Sequence, residues 1–311
     1  FLQYFLNFIF ITFYSILIIH MTLTKKINIS YIIILLFFSL FFNQIFGNIG
    51  LNPIDSFFSF NTGYDILKGH FPFKDYWTIT GPFIGFAQAL FFKLFGVSWS
   101  VYVFHASVIN SILTLFIFFT LREFDLNLHY SFLYSFLISI LAYPSIGTPY
   151  VDHHAAFLSL IGILCFVLAV KKNLKIYWFI LPIVLGLSFL TKQTPTGYAF
   201  VIIATLSSIY FIFNYNFKNF LFGLLGCLLI LSVFFITLII TKISFLSFFE
   251  QYILFPLSLG GSRIEFLFPL EFSRVIMRFK VMHLASIILI IIVLKNIKEN
   301  YKYLISKEFL I

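Results

Sequence analysis

The chain has 311 residues, of which 61% are hydrophobic and only 10% charged, and its mean hydropathy is +1.04. An ordinary water-soluble domain, roughly 45–50% apolar, is excluded. The formal net charge of +9 is explained by membrane topology and calls for no nucleic-acid partner.

Phe supplies 48 residues, but Ile, Asn, Tyr and Lys are abundant too. That pattern suggests coding bias, so aromatic stripes carry little functional weight. Cys165 and Cys227 both fall inside apolar runs, which argues against a disulfide frame or a thiol metal site.

Residues 1–20 are nearly all apolar and lack a charged leading region, unlike a cleavable signal peptide. They read either as an extra helix or as sequence upstream of a start at Met21, which Lys25 and Lys26 follow. A transmembrane domain is expected over 21–294, with spans at 31–47, 99–120, 130–144, 153–170, 177–191, 197–213, 219–241 and 275–294. Residues 295–311 form a basic cytoplasmic tail. The fold class is all-α: a polytopic transmembrane helical bundle of about eight spans, or nine if residues 81–96 also cross.

Between the first two spans, residues 48–98 form an outer loop with surface or re-entrant helices. Phe57, Phe60, Tyr64 and Leu67 recur at helical spacing, with Pro53 as a start signal and Gly69 as a stop. They predict a short amphipathic helix lying on the membrane surface with Asp55 in its first turn. Pro72 and Gly81-Pro82 then bound a turn-rich piece. The segment 81–96 carries Gln88 and Lys93 and would cover only about 24 Å of a core roughly 30 Å thick.

The positive-inside rule decides that segment. If it does not cross, Arg122, the Lys171–Lys172–Lys175 cluster, Lys218 and the tail lysines all lie inside, and the short outer loops 145–152 and 192–196 hold only Lys192. If it does cross, the Lys171–Lys175 cluster is stranded outside. The non-crossing reading places Asp55, Asp65, His70, Asp75, Asp152, His153, His154, Lys192, Gln193, Gln251 and Arg263 on the outer face. The inner loops are left with solvating lysines. Polar chemistry gathered on one side of a membrane bundle marks a site there.

Each group also has a structural reading. Asp55 reads as a helix-capping carboxylate or as a general base at the membrane–water boundary. Asp152 opens a span as a cap or as a second acid at the mouth of the site. His153 and His154 are adjacent and point to different helix faces, a poor spacing for a metal. Lys192 either snorkels at a helix end or holds an anionic lipid phosphate, and Arg263, flanked by Gly260-Gly261-Ser262, has the same two readings. Asp65, Lys74 and Asp75 are most simply solvated charges. Phosphate loops, dinucleotide fingerprints and nucleophile elbows are absent from the sequence.

From Asp55 onward the order of features is that of a known group. Gly63-Tyr64-Asp65-Ile66-Leu67-Lys68-Gly69 is followed by Phe71-Pro72-Phe73-Lys74-Asp75-Tyr76-Trp77, then Gly81-Pro82 and Leu94-Phe95-Gly96-Val97-Ser98. This resembles the first outer loop of the GT-C membrane glycosyltransferases, the group of protein O-mannosyltransferases and lipid A aminoarabinose transferases. Asp152 and Thr191-Lys192-Gln193 are similar to its downstream landmarks, and the likeness covers roughly residues 31–270.

The resemblance implies transfer of a sugar from a polyprenyl-phosphate-linked donor to a glycan, lipid or protein acceptor on the outer side of a bacterial-type plasma membrane. The first-loop acid falls on Asp55, the second outer acid on Asp152 and the phosphate-facing lysine on Lys192. Arg263 and His153 join the phosphate side, while Asp65, His70, Asp75, Gln193 and Gln251 are candidate substrate contacts. No cofactor is required, no residues are assigned to a metal, and a divalent metal is an open option. Two departures stand out: Asp55 is followed by Ser where relatives carry an acidic pair, and relatives continue past the 275–294 helix. The alternatives are a transporter or flippase of lipid-linked sugars and a polysaccharide polymerase or ligase.

Overall fold

A computed structural model of the protein describes residues 29–50, 57–259, 276–277 and 279–300. Asp55 and Arg263 lie outside the described residues. The described chain is helical: α1 (Ile29–Ile49), α2 (Phe58–Lys68), α3 (Phe83–Phe95), α4 (Trp99–Glu123), α5 (Leu128–Leu141), α6 (Val151–Lys172), α7 (Lys175–Phe189), α8 (Gln193–Phe213), α9 (Phe217–Thr241), α10 (Phe245–Leu259) and α11 (Lys280–Glu299). Six of these, α1, α4, α6, α8, α9 and α11, are long and apolar enough to cross a membrane. Of the expected spans, 130–144 and 177–191 become shorter helices of 14 and 15 residues, α5 and α7.

Local chemistry explains the boundaries. Side-chain oxygens of Ser98, Asn127 and Asn216 accept backbone N–H groups at the starts of α4, α5 and α9. Gly69, in the left-handed conformation at φ 91°, ends α2. Tyr143–Ser145 form a 3₁₀ turn after α5, with Pro144 inside it. α10 was not expected: Glu250 and Gln251 interrupt its apolar run. A π-type turn at Glu250–Leu254 brings the successive residues Gln251 and Tyr252 both into the interior.

Contacts along the helices fix their directions. Trp99 at the start of α4 donates to the carbonyl of Gly47 at the end of α1, and Tyr31 at the start of α1 meets His129 at the start of α5. α1 and α4 are therefore antiparallel. His105 and His154 meet at one end of α4 and α6, and Glu123 and Lys172 at the other, so those two run parallel. The bundle thus has a loop end, where residues 57–98 lie, and an opposite basic end.

α3 starts beside Leu190, whose carbonyl accepts from Phe83, and finishes at Gly96, just before Trp99. Both ends of α3 sit at the loop end, as the charge argument requires. It is only 13 residues long, about 20 Å. It is buried from Phe83 through Phe92, between α2 and α4, rather than lying on a surface. α2 packs on it through Ser59, Thr62, Gly63 and Ile66. The predicted apolar stripe is turned elsewhere: Phe57 and Tyr64 are exposed and Phe60 packs against Phe92 and Tyr102. The first turn of α2 holds no acidic residue.

Two kinds of packing hold the rest. α1, α4 and α5 share a polar seam in which Asn110 donates to the carbonyls of Ser39 and Ser139 at 3.1 and 2.8 Å, and the Ser39 and Ser111 hydroxyls meet at 2.7 Å. Each such bond contributes about 0.6 kcal/mol between membrane helices. α6 and α7 instead share an apolar core including Leu158, Ile161, Ile183 and Leu187. α9 approaches α7 so closely that a Cβ on Gly226 would lie 2.2 Å from the Phe179 carbonyl oxygen. Cys165 is buried in α6 and Cys227 is exposed on α9, and both are free thiols.

The basic end corrects one expectation. Its lysines are engaged rather than merely solvated: Lys172 pairs with Glu123 at 3.0 Å, and Lys171 and Lys175 lie over the rings of Phe124 and Phe222 at 4.0 and 4.7 Å. Glu123 went unread in the sequence because a carboxylate at a span end is routine.

Candidate functional site

The loop end gathers polar side chains from five elements. Asp152 lies in the first turn of α6, where a negative charge complements the helix dipole. Lys192 is the residue before α8, in extended conformation. Their ion pair is 2.5 Å long, with Asp152 43% and Lys192 33% exposed. A pair this open contributes about 1 kcal/mol or less to stability. It therefore does more to place two opposite charges at a water-accessible mouth than to hold the bundle together.

The Lys192 turn is fastened to the surface hairpin by main chain. Gly81 donates to the Thr191 carbonyl and Phe83 to that of Leu190, both at 3.0 Å. This approach requires glycine, because a Cβ at residue 81 would lie 1.9 Å from the Leu190 oxygen. The Gly81-Pro82 landmark is thus a docking joint between α3 and the end of α7.

The two glutamines also join segments. Gln193 donates to the carbonyls of Tyr252 and Ile79 at 2.5 and 3.3 Å. Gln251, 8% exposed, accepts from the Thr78 N–H and donates to the Phe73 carbonyl, each at 3.1 Å. Both ends of its amide are engaged with the 73–78 loop. The carboxylate of Asp75 accepts from the Phe71 N–H at 2.7 Å and lies 3.9 Å from Lys74, closing the tight turn in which Phe73 has a φ of 66°.

Asp65 is half-buried and His70 exposed, and the His70 N–H bonds the Asp65 carbonyl at the end of α2. Tyr76 lies nearby. Burial first, and then the charges of Asp65 and Asp75, push its phenol above the usual range and keep it protonated. Four further lysines, Lys68, Lys74, Lys93 and Lys242, stand at this end, beyond the Lys192 that the short loops predicted.

His153 and His154 do face different surroundings. The His153 ring is bordered by Tyr143, Tyr150 and Phe157, and its Nδ1 is buried with no partner among the described residues. His154 points inward to His105 and Tyr143. Among the described residues no three of His, Cys, Asp and Glu come together as a metal site.

The structure therefore brings Asp152, Lys192 and Gln193 together at the loop end, with Asp75 in the bordering loop and Gln251 of α10 bonded to that loop. Sequence reasoning missed the groups that hold this mouth in shape. Asn43 donates to the Gly147 carbonyl and Tyr102 to that of Pro149, and the Tyr143 hydroxyl accepts from the Tyr150 N–H. Tyr102 lies among apolar neighbours, Asn43 beside Gln44 within an apolar run, and Tyr143 where such a run ends. The one cue, visible afterwards, is that buried polar groups inside a membrane bundle need partners.

Comparison with known proteins adds one finding. A family model described as dolichyl-phosphate-mannose-protein mannosyltransferase matches residues 80–240, half of the chain, from the joint at Gly81 to the end of α9. Neither a curated protein nor a solved structure matches it.

Proposed function

The chain belongs to the dolichyl-phosphate-mannose-protein mannosyltransferase family, a membrane glycosyltransferase of the GT-C type, and from that premise we propose that it transfers a sugar from a polyprenyl-phosphate-linked donor to an acceptor hydroxyl at the loop end of the bundle. The observation that carries the reading is the meeting of Asp152 and Lys192, forty residues apart in sequence, at a half-open mouth.

The chemistry is a single displacement. The acceptor oxygen attacks the anomeric carbon, the bond from that carbon to the phosphate oxygen breaks, and polyprenyl phosphate leaves with the electron pair. The configuration inverts, and Asp55 takes the acceptor proton as general base. Lys192 and Arg263 meet the charge that grows on the phosphate oxygens. Asp152 holds the Lys192 ammonium until the phosphate arrives, and the positive end of the α6 dipole adds to the anion's welcome. His153 borders the same turn. Asp65 and His70 face the sugar or acceptor, while Gln193, Gln251 and Asp75 shape the loop around it. No redox cofactor enters, and no step is routed through a metal.

What supports reading the loop end as extracytoplasmic is the charge of the tight helix-to-helix turns, where Arg122, Lys171, Lys172, Lys175 and Lys218 lie at one end and Lys192 and Lys242 at the other, while the longer 57–98 segment adds Lys68, Lys74 and Lys93 to the loop end. The test is to incubate membranes containing the full chain with radiolabelled polyprenyl-phosphate sugars and follow which label moves to which acceptor. Asp55→Asn should abolish transfer, by a factor of about 10² to 10⁴, with membrane insertion intact. Near-normal transfer by that variant removes Asp55 from the mechanism, and immobility of every label removes the reading itself.

A further inference from the structure

Behind the mouth lies a buried chain of side chains that the proposed chemistry does not use. Gln88 of α3, His105 of α4, His154 of α6 and Tyr143 of the 3₁₀ turn are each at most 1% exposed. The Gln88 Oε1 lies 2.9 Å from His105 Nδ1, His105 Nε2 lies 3.3 Å from His154 Nε2, and His154 Nδ1 meets the Tyr143 hydroxyl. The Tyr150 N–H reaches that hydroxyl at 3.1 Å.

The donors and acceptors order in one direction, with the Gln88 Nε2 left without a partner among the described residues. With the Gln88 oxygen accepting, the His105 proton sits on Nδ1 and its Nε2 must accept. His154 must then donate through Nε2 and accept at Nδ1 from the Tyr143 O–H, while the Tyr143 oxygen accepts from Tyr150. The opposite direction would aim two donors, His154 Nδ1–H and Tyr150 N–H, at Tyr143 and leave its own proton unplaced. Both histidines are thus neutral, each in a single tautomer. An amide stands at either end, so the chain is no route for protons, and its effect is geometric.

What it fixes is the first turn of α6. His154 is two residues from Asp152 in that turn. At the other end the Gln88 side chain lies on Gly63 of α2, where a Cβ would come within 2.6 Å of Gln88 Cγ. The surface hairpin and the Asp152 turn therefore hang on one row of bonds.

We propose that Gln88, His105, His154 and Tyr143 form a positioning relay that holds the Asp152 carboxylate opposite Lys192 and sets the α2–α3 hairpin against it. The consequence for turnover rests on the sugar-transfer reading, but the geometric claim does not.

Two readouts separate them. In the protein carrying Cys165→Ala and Cys227→Ala, the thiols introduced by Asp152→Cys and Lys192→Cys are joined by a short bifunctional thiol reagent, and the rate is compared with and without Tyr143→Phe, His105→Leu or His105→Gln. Tyr143→Phe keeps the ring and removes only the hydroxyl. Tyr143→Phe and His105→Leu should each slow cross-linking several-fold. His105→Gln, which can still donate to Gln88 and accept from His154, should restore much of the rate. In the protein with Asp152 and Lys192 intact, the first two variants should lower kcat by about 10-fold to 100-fold with the donor KM within about twofold, as a misplaced group does. A cross-linking rate unchanged in both Tyr143→Phe and His105→Leu overturns the relay. Slowed cross-linking in a protein that transfers no sugar from any donor upholds the relay and sinks the sugar-transfer reading instead. Should His105→Leu fail to fold, Tyr143→Phe and His105→Gln decide the question alone.

Discussion

The two ends of α6 carry the same chemistry under different conditions. At its start Asp152 faces Lys192 across 2.5 Å, and at its end Lys172 faces Glu123 across 3.0 Å. The first pair is open on both sides, 43% and 33% exposed, whereas Glu123 is only 7% exposed. In the closed pair, water cannot replace a lost partner for the carboxylate, and Lys171 stacked over Phe124 covers the flank. In the open pair either charge can be solvated or handed to an incoming anion at little cost. Under the proposed function the first pair is a socket and the second a clasp, a distinction drawn from burial.

That contrast breaks cleanly under substitution. Lys192→Ala should give the largest effect, a fall in sugar transfer of about 10² to 10³, as when a preorganised charge is lost from a developing anion. Its melting temperature should stay close to that of the parent protein. Retained transfer at parental rates would show that the exposed lysine is a snorkelling residue and no socket.

Glu123→Gln should do the reverse. A fully buried pair costs about 3–5 kcal/mol to break, and the partial exposure of Lys172 reduces that to about 1–2 kcal/mol. Thermal unfolding in detergent should register the loss while the turnover of the folded protein is unchanged. A drop in turnover without a drop in stability would erase the distinction between the ends.

Gln251→Ala sharpens the comparison at the loop end, where it removes two bonds to the 73–78 loop, worth about 1 kcal/mol each. Hydrogen exchange in that loop should rise, with transfer reduced more mildly than in Lys192→Ala. Loss of transfer to the Lys192→Ala level would promote Gln251 from loop fastener to substrate contact. The smallest change is expected for Asp152→Asn in stability, within about 1 kcal/mol by melting. A larger loss would mean that the open pair is also a clasp.

Sequence alone revealed the fold where composition acts over long windows. The long spans announce themselves as apolar runs, and the lysines of 171–175 sufficed to keep α3 from crossing. Single residues were harder. Asp152 and Lys192 were each legible as candidates, but their meeting depends on how α6 and α8 are offset, which no local pattern encodes. His105, Tyr102 and Tyr143 were invisible because one polar group inside an apolar run looks like a tolerated exception until its partner is seen. Gln251 and Asp75 were legible as polar groups of the outer face, but not their bonds to the 71–78 backbone, because a sequence does not say whether an amide or carboxylate is engaged by main chain. α10 was lost for a related reason: Glu250, which is exposed, and Gln251, which a wide turn carries inward, together interrupt the very hydropathy that would have revealed it.

The joint at Gly81 bears on protein engineering. Because the hairpin borrows its anchoring carbonyls from Leu190 and Thr191, a chimera that imports the surface segment of a relative should need the foreign α7–α8 turn as well. Grafted alone, the segment would lose its main-chain tether to the turn that carries Lys192, so the two would have to be exchanged together as one cassette.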